Sequence, residues 1–324
     1  MTNAVTRTEV EALALYMTLK TATAGLPLGG GKGGIVVDGG SMGADDRETL
    51  AARVPEALAP VIGPDADVLG PDVGTGEAEM AAIDGAWRSA TGRDGSTATG
   101  KPLDGGGLAL RQGATARGLE VVFDSLVERR GIDGPLRFAV HGFGSVGRGI
   151  AELLCQRGHV LVGAADSGGA IIDEDGRDLE AVIERKQETG SVADQDRPSD
   201  AVLGIDCDLL VPAALQGVID QPMAERLGAG MVLEGANGPC TWAGPEVLRA
   251  RQIPVVPDVL ANSGGVSASF EEMTEPSARD DDEVIEKRFE QRLRDACDEV
   301  WDAADANDLD YRTAATLVAL RAQD

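Results

Sequence analysis

From about residue 113 onward, short apolar runs alternate with segments of helical period, and one of those runs leads straight into the glycine pattern HGFGSVG. Together these features predict an α/β chain built on a Rossmann-type, doubly wound dinucleotide-binding domain. Ahead of it, helical segments separated by glycine-rich loops predict a second α/β region over residues 1–112.

The chain has 324 residues, which corresponds to about two domains. Hydrophobic residues make up 43% of it, enough for real cores. Mean hydropathy is −0.09. No run approaches the roughly 20 apolar residues needed to span a bilayer. The start, MTNAVTRTEVEALAL, lacks the basic-then-apolar pattern of a secretion signal. A cytoplasmic protein with no membrane partner is expected. The net charge of −26 argues against nucleic acid as a partner, since that would need clustered Lys and Arg. Lysine is scarce: Lys20, Lys32, Lys101, Lys186 and Lys287 are all there are. An acidic, Lys-poor, aromatic-poor composition suits a salt-adapted cytoplasm, where added salt screens self-repulsion. Cys155, Cys207, Cys240 and Cys297 are widely scattered and read as free thiols. His141 and His159 lack ligand-like spacing, so neither a metal site nor a Ser-His-Asp triad is expected.

Residues 8–24 read as a helix, with Val10, Leu13, Ala14, Met17 and Ala24 on one face and Thr8 and Glu11 as a capping box. GGGKGGIVVD reads as a glycine loop running into a short strand. Helices are expected over 46–62 and 77–90, with DVLGPDVGTG as strand and loop between them. Another helix spans 113–130. Leu136–Val140 is a strand, the helix after HGFGSVG runs to about Arg157, and Val160–Ala165 is a strand ending at Asp166. LEAVIERKQ, CDLLVPAAL, MVLEGAN and IPVVPDVL continue the alternation, and the chain is helical from about Glu283.

In HGFGSVG, Gly142 permits the tight turn, Gly144 lets backbone approach a pyrophosphate, and Gly147 lets helix and strand pack closely. Phe143, Ser145 and Val146 complete the turn and open a helix whose N-terminal N–H groups face phosphate. Asp166, followed by Ser167, stands where a carboxylate binds the adenosine ribose. It would repel a 2′-phosphate, so NAD is expected, with NADP the alternative.

Lys20 and Lys32 lie twelve residues apart in a chain with five lysines. Glycines around Lys32 allow its amine to be desolvated beside another cation, which lowers a lysine's pKa toward neutrality. Asp72, in GPDVGTG, sits after a strand and before glycines, a good place for an acid. The same residues also fit an anion-binding glycine loop and a turn-forming Asx.

LALYMTLKTATAGLPLGGGKGG, GPDVGTG, TGKPL, RQGATARG, HGFGSVG, VPAAL, EGANGP and PDVLANSGGVSAS occur in this order. In these eight segments the chain resembles the glutamate dehydrogenase family over nearly its whole length. The resemblance implies oxidative deamination of an L-amino acid, glutamate before others, to a 2-oxo acid and ammonia. Lys20 matches the lysine that binds the substrate α-carboxylate. Lys32 matches the catalytic lysine and Asp72 the proton-shuttling acid. Arg111 and Thr115 match positions near the nicotinamide, Asn237 and Asn262 match asparagines of the cleft, and Ser269 matches the serine that helps hold a side-chain carboxylate. The implied domains are 1–112 for substrate and oligomerisation, 113–295 for the dinucleotide, and 296–324 returning to the first. A homo-oligomer is implied, hexameric in the family.

Some features depart from the family pattern. A preceding GG-x-R segment with a further lysine is not part of this chain, so the substrate domain is expected to be incomplete. That feature also fits a regulatory or catalytically impaired paralogue, or assembly with a full-length relative. Gly70 stands beside the substrate where the family carries Ala, and GGLALR replaces a run of smaller residues. TAGLPLGGGK is shared with branched-chain and aromatic amino-acid dehydrogenases, whereas GPDVGTG followed by TGKPL favours the glutamate branch.

Overall fold

A computed structural model describes residues 1, 4–38, 42–274 and 281–322. The chain divides into two compact units. The first comprises Met1–Thr21, Leu26–Gln112 and Gly265–Phe289, and the second comprises Ala22–Gly25, Gly113–Gly264 and Glu290–Asp324.

The first unit is mostly helix and loop. α1 spans Arg7–Thr23, α2 Ala44–Ala52, α3 Val54–Leu58 and α4 Glu77–Thr91. The single helix expected over 46–62 is broken between α2 and α3. Pro55 falls in the first turn of α3 and has no N–H to offer the preceding turn, so the α2 ladder stops at Arg53. Met80 and Ile83 of α4 bury against Ala51 and Ala98, with Val54 and Leu69 packed on them. Neither apolar run expected as a strand forms one. Val36 makes a single bridge, and Leu69 bridges only Ala98. Apolar residues with β propensity become strand only when a neighbouring segment pairs with them over several residues, and among the described residues these runs make only isolated bridges.

The second unit carries α5 (Ala114–Arg130), β1 (Arg137–His141), α6 (Ser145–Gln156), β2 (Val160–Asp166), β3 (Gly169–Ile172) and α7 (Leu179–Thr189). It continues with β4 (Cys207–Pro212), α8 (Gln221–Arg226), β5 (Ala229–Leu233), α9 (Gly244–Ala250), β6 (Val255–Val256) and α10 (Asp258–Ala261). The remaining helices are α11 (Gly264–Thr274), α12 (Asp282–Asn307) and α13 (Tyr311–Arg321). The strands form one sheet in the order β3-β2-β1-β4-β5-β6. All pairings are parallel except β2–β3. The antiparallel β3 was not foreseen: Asp166 and Gly169 close a two-residue hairpin, with Gly169 at φ +135. Ala139, Val162, Leu210 and Val232 from four strands share a core with Met223 of α8 and Leu248 of α9.

After β1 the chain steps to β2 on one side and later to β4 on the other. The sheet therefore has its switch point at the carboxyl ends of β1 and β4, the place where open α/β sheets bind ligands.

Residues 296–324, expected with the first domain, group with the sheet. Trp301 Nε1 donates to Ser125 Oγ of α5 at 2.9 Å, and the Thr23 hydroxyl donates to the Ala315 carbonyl at 3.3 Å. Arg312 of α13 pairs with Glu234, which follows β5, at 2.6 Å, and lies 3.7 Å from Asp258; both carboxylates are fully buried. A second Glu234 oxygen accepts the Asp258 N–H at 2.9 Å. Removing one partner of a buried pair strands the other charge. Arg312→Met should therefore lose about 3 kcal/mol of unfolding free energy in urea titrations followed by circular dichroism. A loss below about 0.5 kcal/mol, the range of neutral surface changes, would show that the network contributes no net stability.

Candidate active site

In the first unit the end of α1 and two loops converge. The Thr21 hydroxyl donates to the Leu28 carbonyl at 3.0 Å and lies 3.3 Å from that of Gly29, tying the glycine loop to α1. Gly30 lies so close to the helix that a Cβ there would be 2.2 Å from the Thr18 nitrogen. Only glycine permits that approach, and it fixes how far Lys32 stands from Lys20. The Asp72 loop is held by its own turn: the Thr75 N–H donates to the Asp72 carbonyl at 2.9 Å, and the Asp72 N–H donates to Thr75 Oγ1 at 2.8 Å.

Lys32 Nζ donates to Asp72 Oδ2, and the Val73 N–H donates to Oδ1 at 2.7 Å. Burial works to raise the Asp72 carboxyl, but the hydrogen bonds from Lys32 and Val73 and the charge of Lys32 outweigh it, holding Asp72 below its ordinary range. The deep burial expected of Lys32 belongs instead to Lys20, which is 6% exposed. Burial and the neighbouring Lys32 charge, opposed by Asp72, lower its amine from 10.5 to about 8. Its ammonium also lies 5.6 Å from the Tyr16 ring centre. Thus three of the expected residues, Lys20, Lys32 and Asp72, form one electrostatic cluster. Gly70 is on the same loop, and a Cβ there would meet Thr99 Oγ1 at 3.6 Å, an ordinary contact, so packing does not impose the loss of the family's alanine. Ser269 is half-buried on α11. Arg111, expected near the nicotinamide, belongs to this unit and donates to the Gly265 carbonyl.

In the second unit the glycine turn joins β1 to α6. Gly142 has φ +108, and a Cβ there would be 2.5 Å from the Ala214 nitrogen; one on Gly147 would be 1.8 Å from the Gly142 carbonyl oxygen. By contrast, the space beside Gly144 is open. An exposed glycine capping the twelve-residue α6 presents free N–H groups and the positive end of the helix dipole, which fits a pyrophosphate. The adjoining groove is lined by Phe143, Gly144, Ser145, Arg148, Ile183, Lys186 and Gln187. Val146 follows in the first turn of α6, and Thr115 lies in the first turn of α5. The side-chain amide of Asn262 donates to the Gly235 carbonyl at 3.2 Å and to Asn237 Oδ1 at 3.0 Å. Its own Oδ1 is buried without a partner among the described residues, an acceptor left for a bound donor.

Asp166 ends β2 as expected, but its carboxylate is already occupied. Oδ1 accepts from the Gly168 N–H at 2.9 Å and the Ser191 hydroxyl at 2.7 Å; Oδ2 accepts from Lys186 Nζ at 2.7 Å and the Val192 N–H at 3.0 Å. Burial would raise this carboxyl, but the bonds from Lys186, Ser191 and the two N–H groups hold it low. Lys186 and Ser191 were not identified from the sequence. The available signal was the scarcity of lysine, since one of the five falls on the helix facing Asp166. With Lys186 beside it, Asp166 loses its force as an argument against a 2′-phosphate. Ser167 is exposed at the turn that follows.

Comparison with known proteins agrees with both halves. Residues 106–323 match the model for Glutamate/Leucine/Phenylalanine/Valine dehydrogenases, and residues 1–89 match that for the dimerisation domain of the same enzymes. The chain belongs to the Glu/Leu/Phe/Val dehydrogenase family. It is 40% identical to an NADP-specific glutamate dehydrogenase of Halobacterium salinarum over 98% of this chain and 78% of that protein. It is 35% identical to an NAD-specific glutamate dehydrogenase of Bacillus subtilis over 96% of this chain and 75% of that one. A solved structure of the hetero-hexameric glutamate dehydrogenase from Thermus thermophilus, in a leucine-bound form, superposes with a TM-score of 0.91 at 34% identity, over 99% of this chain and 78% of that one. Among the described residues no helix is long and apolar enough to cross a membrane.

The buried Lys20 ammonium has a cost in stability. Its pKa of about 8 in the folded chain lies below the 10.5 of an ordinary lysine. The unfolded chain therefore holds this proton more tightly, and stability rises with pH between those two values. Below pH 8 the penalty is complete, on the order of 3 kcal/mol. Lys20→Met should be more stable than the parent at pH 7, by about 1 kcal/mol or more once lost contacts are allowed for, and the gain should shrink toward pH 10. Urea unfolding at both pH values checks this. A variant less stable than its parent at pH 7 would show that the amine is not a buried burden.

Proposed function

We propose that this chain carries out NAD(P)-dependent oxidative deamination of an L-amino acid, glutamate before others, to 2-oxoglutarate and ammonia, and the reverse reaction. The observation that supports this reading is the grouping of Lys20, Lys32 and Asp72 in a member of this family.

Each of the three has a distinct task. Lys20, desolvated and cationic at neutral pH, is matched to the α-carboxylate of the substrate. Asp72 takes a proton from the α-amino group and returns it as ammonia leaves. Lys32 polarises the oxygen that enters from water and becomes the keto oxygen. In the free protein Lys32 holds Asp72 ionised and weakly basic. Substrate that draws Lys32 toward its own oxygen leaves burial as the dominant influence on Asp72, and burial makes the carboxylate a better base. Gly70 and Ser269 contact the substrate side chain in this reading.

A bound nicotinamide dinucleotide supplies the hydride acceptor. Gly142, Phe143, Gly144, Ser145, Val146 and Gly147 would hold its pyrophosphate, Asp166 and Ser167 its adenosine end, and Arg111, Thr115, Asn237 and Asn262 its nicotinamide end. NAD is the assigned cofactor with NADP the alternative. The chain acts in the cytoplasm as a homo-oligomer, with substrate assigned to the first unit and dinucleotide to the second.

Lys32→Ala and Asp72→Ser should each lower kcat by about 100-fold or more, while NAD(P)H binding, followed by fluorescence in high salt, stays within about twofold, since loss of catalytic groups leaves uniform cofactor binding intact. Unchanged turnover in either variant refutes its role. A parent enzyme that reduces 2-oxoisocaproate faster than 2-oxoglutarate refutes the choice of glutamate. Lys186→Met should weaken NADPH more than NADH, by about tenfold in relative affinity, because a charge-assisted contact is lost only for the phosphorylated form. Equal effects on both cofactors would place Lys186 away from the ribose.

A further inference from the structure

Lys101 and Glu272 form the most deeply buried ion pair containing a lysine among the described residues, with side chains 4% and 1% exposed. No role in binding or chemistry has been given to either above. Every donor of the ammonium is used: it reaches Glu272 Oε1 at 2.9 Å, the Ala98 carbonyl at 2.6 Å and Ser96 Oγ at 2.9 Å. Glu272 in turn accepts the Gly100 N–H at 2.9 Å and the Lys101 N–H at 3.4 Å. The pair therefore clamps a stretch of backbone, residues 96–101, to α11.

That backbone is the support of the Asp72 loop. Leu69 donates to the Thr97 carbonyl at 2.9 Å and accepts from the Thr99 N–H at 2.8 Å. Pro71, adjacent to Asp72, rests on Gly100, where a Cβ would lie 2.7 Å from the proline ring. On the other side of the clamp, Glu272 lies three residues beyond Ser269, on the same face of α11.

We propose that Lys101 and Glu272 are positioning residues: their ion pair locks the backbone under the Asp72 loop to the helix that carries Ser269, so that both groups are held in one frame. The inference rests on the roles given to Asp72 and Ser269 above. Buried ion pairs contribute little net stability compared with apolar groups of similar size, so holding these two groups in register is what the pair adds beyond packing.

The test follows from that contrast. The double variant Lys101→Met, Glu272→Leu replaces the pair with apolar side chains of similar volume. It should melt close to the parent, yet show kcat lower by about 10- to 100-fold and a raised KM for glutamate. Its affinity for NAD(P)H should stay within about twofold, since the groups assigned to the cofactor are untouched. Lys101→Arg, which keeps the charge, should recover part of kcat. Hydrogen exchange reads the frame without turnover: peptides covering 69–76 and 96–101 should exchange faster in the double variant by about tenfold or more, with α4 and the sheet unchanged. A folded double variant with parental kcat and KM, or exchange that is unchanged or raised throughout the first unit, overturns the proposal. A parent without glutamate turnover would overturn the assigned reaction instead, and the exchange pattern would still decide whether the frame exists.

Discussion

Two ammonium groups share one carboxylate at the end of α1. Lys32 is bonded to Asp72, and Lys20, almost wholly buried, experiences both of those charges. A buried cation of this kind depresses its own pKa and destabilises the fold unless an anion joins it. An amino-acid carboxylate is such an anion. In the proposed reaction the substrate's α-carboxylate is the anion that meets Lys20, and the local excess of positive charge from Lys20 and Lys32 over Asp72 is what would attract it. The Gly30 approach to Thr18 and the hydroxyl of Thr21 matter because they hold Lys32 near Lys20, where this imbalance arises.

The imbalance is local and opposes the rest of the molecule, whose net charge is −26. Across such a surface a dicarboxylate would be repelled at low ionic strength. In concentrated salt the Debye length falls to about 3 Å, so the distant acidic surface is screened while charges in contact inside the cluster are not. An acidic exterior and a cationic cluster that takes up a dicarboxylate, as proposed above, are compatible under those conditions.

The elements legible in the sequence were those specified by local pattern. HGFGSVG, with an apolar run before it and a helical period after it, located β1, the Gly142 turn and α6 to within about a residue. Lys20 and Lys32 stood out because lysine is otherwise almost absent. What could not be read depended on contacts between distant segments. The runs around Val36 and Leu69 look like strands by composition but make only isolated bridges among the described residues. The occupied state of Asp166 depends on Lys186 and Ser191, 20 and 25 residues further along. Glu272 is one acid among 55, and nothing in its local pattern links it to Lys101, 171 positions away.

The scarcity of lysine carried more information than its one obvious cluster suggested. Lys20 and Lys32 make up the charge centre, Lys101 clamps the backbone beneath Asp72, and Lys186 neutralises Asp166. Only Lys287 is spent on an exposed pair, with Glu283, both more than two-thirds exposed. Exposed pairs of that kind contribute at most a few tenths of a kcal/mol and less in salt, so little stability rests on lysine at the surface. A compact ammonium on a flexible stem keeps its value where it is enclosed, because there its pKa can move and each of its donors can be satisfied. Composition and site therefore agree: four of the five lysines, Lys20, Lys32, Lys101 and Lys186, are buried or partly buried.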